Sequence, residues 1–452
     1  MSVSVVLFTS DLRLNDNPVL HTALREADRI VPLFVLDDGI RKAGFDAPNR
    51  RAFLADCLAD LDAGLRARGG HLVVRSGDPA DRVRAVVTET GARRVHVAGG
   101  VSAYAARRES ALREALSGTG CALAVHDGVL TALAPGAVTP EGRDHYAVFT
   151  PYFNRWSSTG LRDVVATPRK VRVAEVDSEP LPDRADVDGV SPGLAEGGET
   201  AGRERLWQWL SDGLAGYEDG HDDLGGDVTS RLSPYLHFGA LSAAELVQLA
   251  RREGSPGAEA FVRQLAWRDF HHQVLAARPD AARADYRARG DDWHHDEAEF
   301  TAWSSGHTGY PLVDAAMRQL AHEGWIHNRG RMLAASFLAK TLYLDWRLGA
   351  RHFLDLLVDG DLANNQLNWQ WVAGTGNDTR PNRVLNPVVQ GKRFDPRGVY
   401  VRRWVPELAG VDDKFVHEPW KLPERELART GYPEPVVDLA EGRARFERGR
   451  GL

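Results

Sequence analysis

The stretch Asp359-Gly360-Asp361-Leu362-Ala363-Asn364-Asn365-Gln366-Leu367-Asn368-Trp369-Gln370-Trp371 decides how this chain is read. It follows an apolar helical run, His352 to Val358, and is polar where a core would be expected. With Leu362 onward helical, Asp361, Asn365 and Trp369 recur at i, i+4 and i+8 and share one face. A carboxylate, a carboxamide and an indole on one face make a poor core stripe, because a buried acid or amide is costly until something satisfies it. A bound flat heterocycle with a donor/acceptor edge would do so. A helix cap at Asp361 with solvated asparagines is the other reading, and the stretch by itself leaves both open.

Around it, everything from residue 201 to 452 has helical periodicity. Segments such as Arg203–Gly213, Ala243–Arg252, Ala258–Ala277, Pro311–Glu323, Asn328–Leu342 and Ala350–Val358 predict a large all-α domain with long loops. Several of these carry polar groups that want partners. Tyr217 and the run Thr229-Ser230-Arg231-Leu232-Ser233 stand before a helix start, where hydroxyls and free N–H groups favour an anion or form a plain cap and turn. In Ala258–Ala277, Phe261, Gln264 and Arg268 fall at i, i+3 and i+7, with Trp267 and His271 one turn apart. Such an arginine needs a partner, whereas Arg263 and His272 read as a helix rim. Asn328, Arg331 and Met332 share another face. Of 12 tryptophans only Trp156 lies before residue 200, so any indole chemistry sits in the second half. Trp293, Trp346 and Trp369, taken singly, read as packing.

The first 130 residues have a different texture. Val3–Thr9, Ile30–Leu36, His71–Arg75, Arg94–Ala98 and Ala122–His126 read as strands, alternating with helices at Pro18–Glu26, Asn49–Arg68, Pro79–Thr90 and Ala103–Leu116. That alternation predicts a Rossmann-like α/β domain, a parallel sheet covered on both faces. No Gly-x-Gly-x-x-Gly follows the first strand, so a standard dinucleotide site is not supported. The carboxyl ends of the strands would carry Asp11, Arg13, Asn15 and Asp16, then Asp37 and Asp38, read as loop and cap residues. Residues 131–200 predict a linker, rich in Pro, Asp, Gly and Glu from 165 on and lying along one domain.

The formal net charge of −7 excludes global basicity, so a nucleic-acid contact would need a local basic face. Two cysteines, Cys57 and Cys121, suit a reducing cytoplasm. The N-terminus reads as a strand rather than a signal peptide, and no run approaches a membrane span. His271-His272 and His294-His295 lack completing ligands at regular spacing, so no metal is expected.

Six stretches occur in a fixed order: Asp11-Leu12-Arg13-Leu14-Asn15-Asp16-Asn17, Thr229-Ser230-Arg231-Leu232-Ser233-Pro234, Trp267-Arg268-Asp269-Phe270, Gly309-Tyr310-Pro311-Leu312-Val313-Asp314-Ala315-Ala316-Met317-Arg318, Trp325-Ile326-His327-Asn328-Arg329, and Asp359 to Trp371. On these residues the chain resembles the DNA photolyase/cryptochrome family over nearly its whole length, and most of all the class I cyclobutane pyrimidine dimer photolyases. The resemblance implies bound FAD. Tyr217, Thr229, Ser230, Arg231, Leu232 and Ser233 would hold its phosphates; Phe261, Arg268, Arg331, Asp359, Asp361 and Asn365 would surround the rest, with Arg331 paired to Asp359 and Asn365 against flavin N5. Trp369, Trp346 and Trp293 would form an electron-transfer chain running from flavin to solvent. Trp267, Met332 and Trp371 would line a cavity for a flipped lesion, with Gln264 and Asn328 facing it. Arg329, Arg380, Arg383, Lys392 and Arg393 would meet phosphates. An antenna, deazaflavin or methenyltetrahydrofolate, would touch Phe34, Leu36, Asp37, Asp38 and Arg51.

The implied activity is light-driven repair of cyclobutane dimers in UV-damaged DNA by electron transfer from excited reduced FAD, carried out by a monomer without an obligate protein partner. Gln264 stands where most dimer-repair enzymes carry Glu, and glutamine there is a feature of (6-4) photolyases and animal cryptochromes. Asn328 and Met332 stand where the (6-4) enzymes carry histidines, and this outweighs Gln264. Three alternatives remain: a cryptochrome-type photoreceptor, against which the lack of a long tail after about residue 440 counts; a (6-4) photolyase; and a flavin-binding module without light-dependent chemistry.

Overall fold

A computed structural model describes residues 1–452. Its first unit is a five-stranded parallel sheet, β1 (Val3–Phe8), β2 (Arg29–Asp37), β3 (Val73–Gly77), β4 (Arg94–Ala98) and β5 (Ala122–His126), in the order β3-β2-β1-β4-β5. The helices α1 (Pro18–Glu26), α2 (Pro48–Arg66), α3 (Pro79–Thr90) and α4 (Ala103–Leu116) cover it. Val5, Leu7, Val31, Leu33, Val95 and Val97 pack one face, and Val6, Phe8, Ile30 and Phe34 the other. Being buried on both faces, these strands read as continuous apolar runs. The third strand begins at Val73 rather than His71, because the Leu72 N–H leaves the ladder and donates to Asp62 Oδ1 at 2.8 Å.

Residues 165–200 lie against this unit. Arg172 and Ala174 exchange backbone hydrogen bonds with Ile30, and Val171, Ala174 and Leu194 are buried. Apolar side chains in a Pro- and Asp-rich segment fix it in place. Ahead of it, α5 (Phe149–Ser157) buries Phe149, Tyr152 and Trp156.

The second half is helical, as its periodicity predicts. The helices that shape the site are α6 (Ser233–His237), α7 (Pro256–Ala277), α8 (Asn328–Ser336), α9 (Trp346–Leu356) and α10 (Leu362–Ala373), with α11 (Leu439–Arg450) packed behind. Ser255 caps α7, accepting from the Ala258 N–H, which starts that helix earlier than its apolar pattern. Beyond Ser336 the chain keeps turning as a π-helical turn, Phe337–Thr341. No helix is long and apolar enough to cross a membrane.

The loop after β1 joins the two halves. Arg13 is 1% exposed and donates to the carbonyls of Asp16, Val129 and Gly239 at 3.1, 3.1 and 2.9 Å. Glu199 accepts from the Leu14 and Asn15 N–H groups, and Asp16 accepts from Arg162 and Ser242. The approach is so close that a Cβ at Gly239, whose φ is +64°, would lie 1.8 Å from the Ser10 carbonyl oxygen. From the other side, Asp269 of α7 accepts from the N–H groups of Ala132 and Leu133 and from Trp156 Nε1. Arg268 donates to the Leu130 carbonyl at 2.6 Å. Two of the six sequence stretches are therefore an interdomain lock.

Candidate active site

One cavity of about 450 Å³ opens among α6, α7, α8 and α10, within the range of small-molecule sites. Asp361 is the N-cap of α10, its Oδ1 accepting from the Asn364 N–H at 2.8 Å. Its other oxygen lies 3.1 Å from His272 Nε2. Cap and site are thus one residue. Asn364 Nδ2 also donates to Asp361, and its Oδ1 lies 3.0 Å from His271 Nδ1. Burial would raise Asp361, but His272 and then Arg268 and His237 outweigh it and hold the carboxyl well below its ordinary range. Burial pushes His237 and His271 down to about 4, so both are neutral near pH 7. His237, His271 and Asn364 belong to the floor, with His272 behind Asp361, whereas the sequence reading set His272 on a helix rim. The i and i+1 placement of His271 and His272 beside Arg268 was the available signal.

Asp361, Asn365 and Trp369 all line the cavity. Asn365 Nδ2 donates to the Ala350 carbonyl and to Gln366 Oε1, which leaves its own Oδ1 uncommitted. Arg331 Nη2 meets Asp359 Oδ2 at 2.7 Å, while Asp359 Oδ1 is buried with no partner. Tyr217, Thr229, Ser230, Arg231, Leu232, Ser233, Phe261 and Arg268 line the cavity as well. Thr229 Oγ1 is another buried atom without a partner. Buried polar groups are rarely left so; a hydroxyl and a carboxylate oxygen aimed at one cavity fit a ligand bearing phosphate and ring N–H or hydroxyl groups, as FAD does.

Arg231 is otherwise occupied. Its φ is +52°, and its guanidinium forks onto Asp227 at 2.8 and 2.6 Å, reaches Glu323 at 3.1 Å, and lies over the Trp325 ring at 4.3 Å. It shapes the loop while its charge is neutralised. Burial, with Asp222 nearby, pushes Tyr217 up to about 12, so it stays a neutral phenol.

The rim is more open. Gln264 and Asn328 are exposed, and Trp267, Met332 and Trp371 are half-buried. Trp267 stacks on Phe149 with ring centroids 3.7 Å apart and planes at 6°. Asn328 Nδ2 lies 3.9 Å from Met332 Sδ. Arg329 does not line the cavity: it forks onto Asp222 at 2.7 and 2.6 Å and stacks on Phe394. Lys392 pairs with Glu418 at 2.5 Å. Arg380 and Arg383 form no ion pair, and Arg383 lies 5.3 Å above the Trp371 ring.

Of the three singled-out tryptophans, Trp369 alone borders the cavity. Its ring rests on α9 at Gly349, one turn beyond Trp346, and meets Trp303 and Phe353 at 6.0 and 4.9 Å. Trp346 is fully buried and donates to Asp285 at 2.9 Å. Trp293 is half-buried against Tyr343 at 4.9 Å. Trp303, which the sequence reading passed over, is a fully buried fourth indole.

The five residues read as antenna contacts have partners of several kinds within the protein. Phe34 packs into the core, Asp38 pairs with Arg41 at 3.3 Å, and Arg51 with Asp46 at 3.5 Å. At the sheet edge next to Leu36, Asp37 accepts instead from the Tyr104 hydroxyl, with Arg108 close by and its Nε buried without a partner. Tyr104 and Arg108 lie in α4, far along the chain from Asp37, and the sequence reading did not name them. His294 gathers Asp296 and Glu299 within 4.8 Å. Glu299 already forks onto Arg445, and Asp296 caps a helix, so both acids have partners.

Two family profiles match. One described as DNA photolyase covers residues 4–171, and one described as the FAD binding domain of DNA photolyase covers residues 261–449. The chain is 70% identical, over 100% of both sequences, to a deoxyribodipyrimidine photo-lyase of Streptomyces griseus. Among solved structures, a bacterial class III photolyase from Agrobacterium tumefaciens superposes with a TM-score of 0.92 at 32% identity, covering 100% of this chain and 97% of that one. An archaeal photolyase from Sulfolobus tokodaii, described with two FAD molecules that imply a novel light-harvesting cofactor, superposes at 0.84 with 30% identity and 99% of each chain.

Proposed function

The chain belongs to the DNA photolyase family, and from that premise we propose that it is a light-dependent deoxyribodipyrimidine photo-lyase that repairs cyclobutane pyrimidine dimers in DNA. The observation that carries this is a single cavity whose floor is polar and partly unsatisfied and whose rim is aromatic and amide-bearing. Held on that floor by Thr229, Ser230, Ser233, Asp359, Asp361 and Asn365, reduced FAD would supply light absorption and reversible one-electron chemistry for the dimer.

The chain's own residues do the positioning. The Thr229 hydroxyl and the turn through Ser230 and Ser233 receive the phosphates. The Arg331–Asp359 pair ties α8 to the start of α10, so the two helices that wall the cavity cannot slide apart. Asp361, fixed by His272 and Asn364, presents a permanent negative charge, and the free Oδ1 of Asn365 presents an acceptor beside it. Trp267, Met332 and Trp371 give a flipped pyrimidine pair apolar walls that replace lost stacking. Gln264 and Asn328 offer amides to the base edges; an amide bonds either a donor or an acceptor but carries no charge and delivers no proton. Arg380 and Arg383 supply uncommitted positive charge for the strand on a protein of net charge −7. We place the protein in the cytoplasm as a monomer. A second light-harvesting chromophore, a deazaflavin or methenyltetrahydrofolate, belongs to the proposal, and the sheet edge at Asp37, Tyr104 and Arg108 supports a place for it.

The test is repair of a defined thymine dimer in a short single strand, followed by the return of thymine absorbance under blue light with dithionite-reduced protein. A light-dependent rise is expected. No rise from protein that holds photoreducible FAD would overturn the reading. Gln264 favours one competitor, and the same assay on a (6-4) lesion identifies it.

A further inference from the structure

Lys340 is the least expected charge in the helical half. It sits in the π-helical turn Phe337–Thr341 and is 1% exposed. No carboxylate pairs with it. Its ammonium donates to two backbone carbonyls, Pro381 and Arg383, at 2.7 Å each. Those carbonyls belong to the loop between α10 and the helix that starts at Pro387, and this loop carries Arg380 and Arg383.

The rest of that loop's hydrogen bonding makes the point sharper. Its near end is held by the Thr375 and Gly376 N–H groups on Gln370 and by Asn377 Nδ2 on the Ala147 carbonyl at 2.8 Å. Its far end is held by the Leu385 N–H on Ser336 Oγ at 3.1 Å. Between them, the Asp378–Arg380 and Arg380–Arg383 bonds are internal to the loop. Both hydrogen bonds that tie residues 378–384 to the rest of the protein come from Lys340. The fixed loop holds the Arg383 guanidinium over the ring of Trp371, on the cavity rim.

We propose that Lys340 is a positioning residue for DNA binding: from inside the core it holds the Arg380–Arg383 turn so that two unpaired guanidiniums face the strand beside the lesion cavity. This rests on the reading of the protein as a DNA repair enzyme. A buried lysine is an expensive way to stabilise a loop; a charge-assisted donor in a π-turn, which commonly marks function, suits a place whose geometry must be kept.

The charged groups facing the ammonium are Asp378 and Asp291, which favour it, and Arg383 and Arg450, which oppose it, with the Phe446 ring 5.7 Å away. Burial dominates and brings Lys340 down to about 7. The charge-assisted bonds to the loop are therefore present below that pH and weaken above it, so the grip on DNA should loosen as pH rises from 6 to 8.5.

The experiment measures affinity for a duplex with one thymine dimer, and repair at saturating duplex, for wild type, Lys340→Met, Arg380→Ala/Arg383→Ala, and all three changes together. Lys340→Met should weaken binding about tenfold, roughly 1.4 kcal/mol, and reduce the salt dependence, with FAD content and saturated repair within about twofold of wild type. On the double-arginine background the same change should cost almost nothing, and the binding loss between pH 6 and 8.5 should vanish. Unchanged affinity in Lys340→Met, or an equal loss on both backgrounds, would overturn the inference. Should Lys340→Met not fold, the pH dependence of wild type against the double-arginine protein decides alone: equal slopes overturn it. Wild type that neither prefers the dimer nor repairs it would instead sink the underlying functional reading.

Discussion

Two loops that each begin with an aspartate and bury their charges came out of the same chain with opposite uses. In Asp11–Asn17, the buried groups are answered by the protein: Arg13 reaches three carbonyls, Asp16 meets Arg162, and Asn17 caps α1. In Asp359–Asn365, some are left open, with Asp359 Oδ1 partnerless and the Asn365 carbonyl facing a cavity. Burial raises Asp11 above its ordinary value, against the opposing pull of the Thr9 N–H, Arg13 and Asn17, whereas it fails to raise Asp361 against His272 and Arg268. A region completed from within is a joint. A region completed only by something else is a site.

The comparison breaks first at the ion pairs. Asp359→Ala should leave the half-buried Arg331 with only the Ile326 carbonyl and no carboxylate, at a cost of about 3 kcal/mol, and should drop FAD retention by about 100-fold; flavin absorbance after gel filtration reads it. Arg13→Met should lower the melting temperature by a similar free energy, since three carbonyls lose their donor, yet leave FAD affinity at 20 °C within about twofold. Loss of FAD in the Arg13 variant at that temperature would mean that joint and site are not separate.

The pH profiles sharpen it. The folded-state value of Asp361 lies below its unfolded one, so its contribution to stability is full above the unfolded value near 3.8 and is lost as pH falls through the folded value. That of Asp11 is raised, so ionising it costs stability as pH climbs past 3.8 towards the folded value. Thermal melts should accordingly show Asp361→Asn less sensitive to acid than wild type, and Asp11→Asn gaining relative to wild type as pH rises. The smallest effect belongs to the rim. Gln264→Glu should raise the repair yield on thymine dimers by a few-fold or less, since the exposed side chain has no partner to lose; an equal or lower yield in the blue-light assay would show that glutamine is not a weakened form of the acid.

Much of this was legible in advance. The strand–helix alternation predicted the parallel sheet, because apolar runs of that length are stable only when buried on both faces. The i, i+4, i+8 pattern put Asp361, Asn365 and Trp369 on one cavity wall, because helix period fixes facing. The reading had no access to the long-range partners that a side chain meets in the fold. Arg231 and Arg329 look like phosphate ligands on their own segments, but Glu323 lies 92 residues from one and Asp222 107 from the other. The Asp11–Asn17 stretch looked like a sheet-edge loop, since nothing in it announces that Gly239 would press against Ser10.

The sequence by itself determined the helix and strand periods, the cap reading at Asp361, and the order of the polar stretches, because those depend on backbone geometry and on neighbours within a turn or two. Only the tertiary structure decided which charges are already neutralised, which buried oxygens still lack a partner, and that a lysine in the core holds two arginines on the surface. Hydrogen bonds and ion pairs act over a few ångströms of space, and the chain gives no local sign of what it will bring that close.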